Sequence, residues 1–365
     1  MIQITLTNEI MNRIMAIEEQ KFNINSLELP MLAHNRLRKI SKKKSAYASA
    51  KIEGNPLTEE QAYDVIEQDA HKHFLRPEQE IRNYYLALNY LDEQIKNNEP
   101  FSLDLILEIQ KLVEKVASPE KIGLRGAMPP GTLFAVYDSV SGAPEYIPPE
   151  YKDVPMLLDE LVNYVQTTDD HPILIAAVVH YQLVTIHPFE DGNGRTARLM
   201  SGYILDYYGY GFQGIGSLEE YFAYDPDEYY AALQMGLPAL YYDGRESPPH
   251  PEIWIHYFLR MMELYVTKVS SLSLQTDSEA FTEALSHINS KEKQLLKIIL
   301  ENNMSEVKPI ELSRIVEINN KTVIKRLSGL CQNGFMVPIM VRARIRTYIV
   351  SEFTKAHKVQ LLEIL

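Results

Sequence analysis

The spacing of apolar and polar positions predicts helices over the first hundred residues. The segment 32–52 contains no proline and is followed by Gly54, a residue type that typically ends a helix. Thr58 and Gln61 stand three positions apart at the start of the next helical pattern, which predicts a capping box. We therefore expect a helical N-terminal region at 1–100.

The pattern changes between 123 and 149, where turn residues surround two short β-prone runs, 132–137 and 145–147. Such a run–turn–run pattern predicts a β-hairpin, here at 131–147, set among helices.

Two apolar helices separated by a short loop come next. The first begins at Pro172, with Asp169 and Asp170 as candidate caps. It is apolar almost all round, which is typical of a buried axial helix. The second is expected at about 195–208.

The C-terminal part has the element order of a winged helix. A last core helix runs toward Lys268, and a polar, serine-rich stretch at 270–278 predicts a linker, drawn at 266–289. Beyond it, the pattern predicts three helices and two strands in the segments 291–301, 309–317, 320–333, 335–341 and 343–350. We therefore expect a winged helix-turn-helix domain at 290–365.

Composition narrows the class of protein. Of the 365 residues, 45% are apolar and 23% are charged, values that exclude a disordered or collagen-like chain. The single cysteine, Cys331, excludes an intramolecular disulfide and a cysteine-based zinc site. No apolar run reaches the about 18 residues of a membrane span, and the N-terminus lacks a signal-peptide pattern. A soluble, cytoplasmic protein without membrane contact is expected.

The net charge of −13 is unevenly distributed. Residues 285–365 hold 13 Lys and Arg against 7 Asp and Glu, a charge of +6, which leaves −19 on the remainder. This division suggests that the tail has an anionic partner of its own.

The loop between the two apolar helices, HPFEDGNGRTAR at 187–198, concentrates reactive residues. Gly192 and Gly194 flank an asparagine, so backbone N–H groups can converge on an anion at a helix N-terminus. Arg195 and Arg198 are three positions apart and can face the same anion.

Two further groups of this loop complete a reactive set. Asp191 supplies an oxygen ligand for Mg²⁺, and His187 can accept a proton near neutral pH. The alternative is a capped interhelical loop with a structural histidine. A possible base, a carboxylate, an anion-binding turn at 192–194 (the nest) and two arginines all lie within twelve residues. This density favours the functional interpretation.

This loop matches the signature of the Fic family, HPFx[DE]GNGRxxR, without a departure. The resemblance extends over about 30–265 and implies a mainly α fold: a Fic-type helical core at 101–265 with a small β-hairpin flap. Family members with the complete motif mostly transfer AMP from Mg·ATP to a hydroxyl of a target protein.

The resemblance also implies roles for individual residues. His187 would take the proton of the target hydroxyl, and Asp191 would hold Mg²⁺. Tyr229 and Tyr230 resemble a pair that lines the adenine, although core packing is an alternative, and Leu237 stands where some relatives have asparagine. The residues expected to contact ATP are Glu53, Asp191, Gly192, Asn193, Gly194, Arg195, Thr196, Ala197, Arg198, Tyr229 and Tyr230.

A second motif lies far upstream, where SAKIEG at 49–54 matches [ST]xxxE[GN], the inhibitory motif that one class of Fic proteins carries before the core. Glu53 lies at a helix C-terminus, where the dipole disfavours a negative charge, and Ser49 is on the same helix face. By resemblance, the partner of Glu53 is Arg198. The alternative is a solvated glutamate before a capping glycine.

Partners are inferred for two segments. By resemblance, the 131–147 hairpin docks a target protein by β-augmentation, with a plain structural hairpin as the alternative. In the tail, Lys321, Lys325 and Arg326 lie on the expected recognition helix, and three arginines alternate along a strand of the wing, which predicts DNA binding through 320–346. The arginines are Arg342, Arg344 and Arg346. The alternative is a domain that joins units or forms a homodimer.

Together these features predict a protein adenylyltransferase that modifies Ser, Thr or Tyr hydroxyls of targets and of itself, and that is inhibited by Glu53 pairing with Arg198. Two alternatives stay open at this point. One is removal of AMP at the same site, with Glu53 positioning a water. The other is a DNA-binding regulator whose Fic core senses nucleotide.

Overall fold

The structure is a computed structural model that describes residues 2–27, 29, 31–68, 73–132, 134–137, 144–235, 248, 250–341 and 344–365. It divides into two compact units. The first comprises Met1–Lys21 and Leu37–Val269, and the second comprises Phe22–Arg36 and Ser270–Leu365. The domain limits drawn from the sequence stay predictions.

Helices dominate the described chain as far as His287. In chain order they are α1 (Asn8–Asn25), α2 (Met31–Ile52), α3 (Glu59–Glu67), α4 (Arg76–Lys96), α5 (Leu103–Glu114), α6 (Val154–Thr167), α7 (Pro172–Ile186), α8 (Asn193–Tyr207), α9 (Glu219–Phe222), α10 (Pro226–Gln234) and α11 (Pro251–His287). Short 3₁₀ turns lie at Pro119–Lys121 and Phe212–Gly214.

The N-terminal signals act as the sequence predicts. Helix α2 ends at Ile52, and Gly54 follows with a φ of +78°, a conformation that favours glycine. The capping box of α3 is present, with the Gln61 N–H donating to Thr58 Oγ1 at 3.3 Å and the Thr58 N–H donating to Gln61 Oε1 at 2.9 Å. Local sequence signals therefore set both the end of α2 and the start of α3.

Helix α7 is the axis of the first unit. All its residues are buried except Pro172 and Val184, and it packs against α6 and α8. The predicted caps are wrong: His171, directly before Pro172, is the N-cap, and its Nδ1 accepts from the Ile173 N–H. Asp170 instead accepts from the Tyr164 hydroxyl at 2.7 Å. Because proline occupies the first helical position, the cap falls on the residue next to it.

In the predicted hairpin, strands β1 (Val136–Tyr137) and β2 (Pro144–Tyr146) pair antiparallel, with Val136 opposite Tyr146. Residues 133 and 138–143 of this segment lie outside the described residues. The use of the hairpin as a flap stays a prediction.

The serine-rich stretch 270–278, predicted as a polar linker, is helical, because α11 continues through it to His287. After this polar stretch, apolar residues recur at helical spacing. Phe281, Leu285 and Ile288 are buried in the core of the second unit. A serine-rich sequence can form a helix when one stripe of the helix packs against a core.

The second unit continues with helices α12 (Ser290–Glu301), α13 (Pro309–Ile315), α14 (Asn320–Gln332), α15 (Glu352–Ala356) and α16 (Lys358–Ile364), and with strands β3 (Glu306–Val307), β4 (Met336–Val341) and β5 (Arg344–Val350). The sheet order is β3-β5-β4. The three helices and two strands predicted from the sequence are present, whereas β3, α15 and α16 were not predicted. Within the described chain, no helix is both long enough and apolar enough to span a membrane.

Candidate active site

His187 caps the C-terminus of α7 in the left-handed conformation, with φ 49° and ψ 57°. Its Nδ1 lies 3.3 Å from the Val184 carbonyl oxygen, which can only accept, so Nδ1 carries the proton and Nε2 has a free lone pair. Burial lowers the pKa of His187 to about 4, and the Arg125 guanidinium contributes in the same direction. His187 is therefore neutral at physiological pH and able to accept a proton at Nε2.

Side chains from other segments donate hydrogen bonds to the carbonyl groups at the C-terminus of α7 and so stabilise the turn at His187. Arg125 donates from Nε to the His187 carbonyl at 2.7 Å and from Nη2 to the Pro149 carbonyl, while its backbone N–H donates to the Pro188 carbonyl. The Tyr146 hydroxyl donates to the Thr185 carbonyl. Helix C-termini leave such carbonyls without intrahelical donors. Arg125 and the hairpin therefore fix the turn that presents His187.

The N-terminus of α8 forms the predicted nest. Gly192 has a φ of +81°, and the first intrahelical bond runs from the Thr196 N–H to the Gly192 carbonyl at 2.8 Å. The N–H groups of Asn193, Gly194 and Arg195 precede this bond and face the anion-binding end of the helix. The Asn193 side chain does not face the nest, since it bonds the Phe189 N–H and carbonyl, both at 3.0 Å, and shapes the loop.

Arg195 is held by two carboxylates. Its Nη2 donates to Glu114 Oε1 at 2.8 Å and to Asp191 Oδ1 at 3.1 Å, and the Arg195 and Glu114 side chains are 6% and 1% exposed. Burial raises the pKa of Glu114 to about 6, although Arg195 opposes the change. A methyl group on Gly192 would lie 2.6 Å from Glu114 Oε1, so only glycine fits there.

Asp191 accepts from cations on both oxygens. Lys121 Nζ and Arg76 Nη2 lie 2.8 and 3.2 Å from Oδ2. Burial favours the neutral acid, but the bond from Lys121 and the charge of Arg195 outweigh it and lower the pKa of Asp191. No group of three or more metal-ligating side chains occurs among the described residues. An ionised carboxylate beside an anion-binding nest fits Mg²⁺ only if phosphate and water complete the shell.

Arg198 contacts the segment 49–54, as the family resemblance implies. Its Nε donates to Ser49 Oγ at 2.9 Å, and its Nη2 donates to the Ser49 carbonyl at 3.1 Å and to Glu53 Oε1 at 2.7 Å. The Arg198 side chain is 1% exposed, and that of Glu53 is 35% exposed. A methyl group on Gly194 would overlap Glu53 Oε1, so the carboxylate lies directly against the nest.

The two tyrosines differ in position. Tyr229 is buried, its hydroxyl lies 2.8 Å from His180 Nε2, and its ring packs against Trp254 in an aromatic core. Tyr230 is 47% exposed, with its hydroxyl 3.5 Å from the Ile52 carbonyl, beside Glu53. Only Tyr230 therefore offers an exposed ring near the nest.

Two of the remaining expected ATP contacts, Thr196 and Ala197, are fully buried in α8. Their contact with ATP stays a prediction. Leu237, which stands where some relatives have asparagine, lies outside the described residues.

Four residues of the site were not found from the sequence. They are Arg76, Glu114, Lys121 and Arg125, which reach the loop from α4, α5 and the segment after α5. No contiguous motif contains them, and Glu, Lys and Arg are common at surfaces. Burial of Glu114 and Arg125 is the signal that identifies them, and burial is visible only in the fold.

Part of the chain is similar in sequence to known proteins. Residues 100–205 match the model of the Fic/DOC family. The protein adenylyltransferases Fic of Drosophila grimshawi and Nematostella vectensis are 29% and 32% identical over 203 and 207 residues, 54% and 55% of this chain. The chain spans less than half of those relatives, 40% and 45% of their length.

Solved structures show the fold alone. The chain superposes on Fic-1 of Caenorhabditis elegans (residues 134–508) with a TM-score of 0.57 and 24% identity, covering 73% of each chain. It superposes on a Fic family protein of Desulfovibrio desulfuricans with a TM-score of 0.58 and 20% identity, covering 95% of this chain and 97% of the other. Residues 100–205 therefore match the Fic/DOC family model, and about half of the chain is similar in sequence to Fic protein adenylyltransferases.

Proposed function

We propose that this chain is a protein adenylyltransferase that transfers AMP from Mg·ATP to a Ser, Thr or Tyr hydroxyl of a target protein or of the chain itself. One observation carries the proposal. Arg195 Nε and Nη1 and Arg198 Nη1 are buried without a hydrogen-bond partner among the described residues. Buried polar groups normally have hydrogen-bond partners, so these unused donors need an acceptor. Because they lie near a helix N-terminus, a polyanion is the ligand that fits them best.

The residues have complementary roles in this reaction. The α8 nest and Arg195 bind the phosphates and orient the α-phosphorus toward Nε2 of His187. His187 takes the proton of the target hydroxyl, whose oxygen bonds to the α-phosphorus as the bond to the β-phosphate oxygen breaks. Pyrophosphate leaves, and its charge is balanced by Arg195 and Arg198. When bound at Asp191, Mg²⁺ supplies further neutralisation of phosphate charge.

Glu53 gives the site a restrained state in this proposal. Its carboxylate lies against Gly194 and pairs with Arg198, the cation expected at the γ-phosphate. A phosphate cannot share this position, because it would meet both a steric obstacle and a like charge. Productive binding of ATP therefore requires Glu53 to leave.

The test follows α-³²P from ATP onto protein in wild type, Glu53→Gly, Glu53→Gln and Glu53→Gly/His187→Ala. The Glu53–Arg198 bond is charge-assisted and worth about 1.5–3 kcal/mol, so removing it should increase labelling about 10- to 100-fold. Glu53→Gln, which keeps the volume but not the charge, should fall between wild type and Glu53→Gly.

The double variant tests the base. It should bind ATP as Glu53→Gly does and lose transfer by about 10²–10⁴-fold. Unchanged labelling in Glu53→Gly would refute inhibition by Glu53, and full labelling in the double variant would refute His187 as the base.

We also propose that the 131–147 hairpin docks the target. The Phe134 ring lies 6.0 Å from the His187 ring, which supports a docking position next to the base.

For the second unit we propose a winged-helix domain, supported by the order of α12, α13, α14, β4 and β5. DNA binding through 320–346 stays a prediction. Arg342 lies outside the described residues. The described part of the wing exposes apolar side chains at Val337, Ile339 and Met340.

A further inference from the structure

We propose that Lys121 and Arg76 form a second arm of the nucleotide site, one that holds the β- and γ-phosphates and the departing pyrophosphate. This inference rests on the proposed function. Neither residue belongs to the loop at 187–198, and Arg76 lies outside the 100–205 segment that matches the family.

The backbone of Lys121 is fixed beside the loop. Gln110, which is fully buried, donates from Nε2 to the Lys121 carbonyl at 3.0 Å and to the Asp191 carbonyl at 3.4 Å, and accepts from the Gly123 N–H at 3.0 Å. One buried amide therefore joins the Lys121 turn to the Asp191 loop. The Lys121 ammonium lies 2.8 Å from Asp191 Oδ2, directly before the nest in the chain, and its side chain remains 31% exposed.

Arg76 approaches from another direction. It opens α4, its Nε is held by Glu80 Oε1 at 3.1 Å, and its Nη2 reaches Asp191 Oδ2 at 3.2 Å. Arg195 contacts the other oxygen, Oδ1. Three cations from three elements therefore surround one carboxylate at the edge of the nest.

The ion pairs of the three cations indicate which of them can leave Asp191 to bind a phosphate. Arg195 also pairs with Glu114, and Arg76 also pairs with Glu80, whereas Asp191 is the one ion-pair partner of Lys121 within the described parts of the chain. A lysine ammonium carries three donors on a flexible stem and can move to a neighbouring anion without backbone motion. A polyphosphate beside Asp191 carries several negative charges, against one on the carboxylate. Lys121 therefore moves to phosphate oxygens when the nucleotide binds, and Arg76 contributes from the exposed side.

This assignment makes a prediction that depends on the length of the phosphate chain. ATP and pyrophosphate present β- and γ-type phosphates to the arm, whereas AMP does not. Loss of the Lys121 charge should weaken ATP and pyrophosphate and spare AMP. A lysine that merely neutralises Asp191 would affect all three equally.

The experiment measures dissociation constants by titration calorimetry for ATP, AMP and inorganic pyrophosphate with Mg²⁺, on the full chain carrying Glu53→Gly. The variants are Lys121→Met and Arg76→Met, which keep the aliphatic volume. Lys111→Met is the control, since Lys111 is exposed on α5 and pairs with Glu108. One charge-assisted contact corresponds to about a 10- to 100-fold change, so Lys121→Met should weaken ATP and pyrophosphate by that factor and AMP by less than about threefold. Arg76→Met, at a more exposed site, should have a smaller effect with the same selectivity.

The outcomes separate the two proposals. If the Glu53→Gly chain binds no ATP, the proposed function fails and this inference fails with it. If that chain binds ATP but Lys121→Met behaves as Lys111→Met does, the inference alone is overturned. Equal weakening of ATP and AMP also overturns it, because the effect would then pass through Asp191. Unfolding curves followed by the fluorescence of Trp254 show whether each variant is folded.

Discussion

Replacement of Glu114 by glutamine tests the electrostatics beneath the nest. Loss of one partner of a buried ion pair usually costs about 3–5 kcal/mol of stability. The environment of Glu114 predicts instead that the substitution increases stability. Burial raises its pKa to about 6 despite the attraction of Arg195, so ionisation is harder in the folded chain than in the unfolded one.

The size of the effect follows from that pKa. A group whose folded pKa is raised stabilises the fold fully below its ordinary value, here 4.5, and that contribution is lost as the pH rises through 6. At 1.36 kcal/mol per pKa unit, the difference amounts to about 2 kcal/mol. Glutamine keeps an acceptor for Arg195 and has no charge to desolvate. Glu114→Gln should therefore raise the free energy of unfolding by about 2 kcal/mol at pH 8, and the gain should shrink toward pH 4.5.

The assay uses a natural probe. The sequence has one tryptophan, Trp254, which is buried in the first unit, so its fluorescence during urea titration reports the unfolding of that unit. Glu108→Gln is the matched control on the same helix, since Glu108 forms an exposed pair with Lys111 and should change stability by less than about 1 kcal/mol. A loss of 3–5 kcal/mol in Glu114→Gln at pH 8 would show that attraction to Arg195 dominates, and the reasoning would be wrong.

Two further predictions concern His187. The folded pKa of His187 is about 4, and the Glu53 charge raises it, so kcat/KM of the Glu53→Gly chain should be flat from pH 8 to 5 and fall only near or below pH 4. A fall centred near 6.5 would mean that His187 is solvated or is not the base. Arg125→Met removes the donor that holds the His187 carbonyl and should lower kcat by about 10²-fold while the affinity for ATP is unchanged. Arg82→Met removes a comparable clamp on the Val65 and Gln68 carbonyls and should leave kcat unchanged, and an equal loss in both variants would indicate general destabilisation.

Much of the site was readable from the sequence because its chemistry is contiguous. The proposed base, the proposed Mg²⁺ ligand, the nest and both arginines lie between His187 and Arg198, on one turn and the start of one helix. The pairing of Glu53 with Arg198 was also expected and is present, but from family resemblance, since nothing local connects residues 145 positions apart. Sequence spacing therefore predicts sites whose residues are close in the chain. Pairs of residues far apart in the chain are found only from a family resemblance or from the fold.

The remaining features depend on packing. Glu114, Lys121 and Arg125 have side chains that are ordinary at surfaces, and only the arrangement of α5 and the following segment against the loop makes them part of the site. By resemblance, Tyr229 was expected at the adenine, with core packing as the alternative, and in the structure its ring packs in an aromatic core. The serine-rich part of α11 was taken as a linker because composition was given more weight than the spacing of Phe281, Leu285 and Ile288.

The separation between Glu53 and Arg198 also fixes the order in which the two are made. Glu53 leaves the ribosome 145 residues before Arg198, which is about 7–30 s earlier at 5–20 residues per second. The restraint is therefore already synthesised when the last arginine of the nest appears. Under the proposed function, a new chain has no active period before regulation begins, and release of Glu53 must come from an event after synthesis.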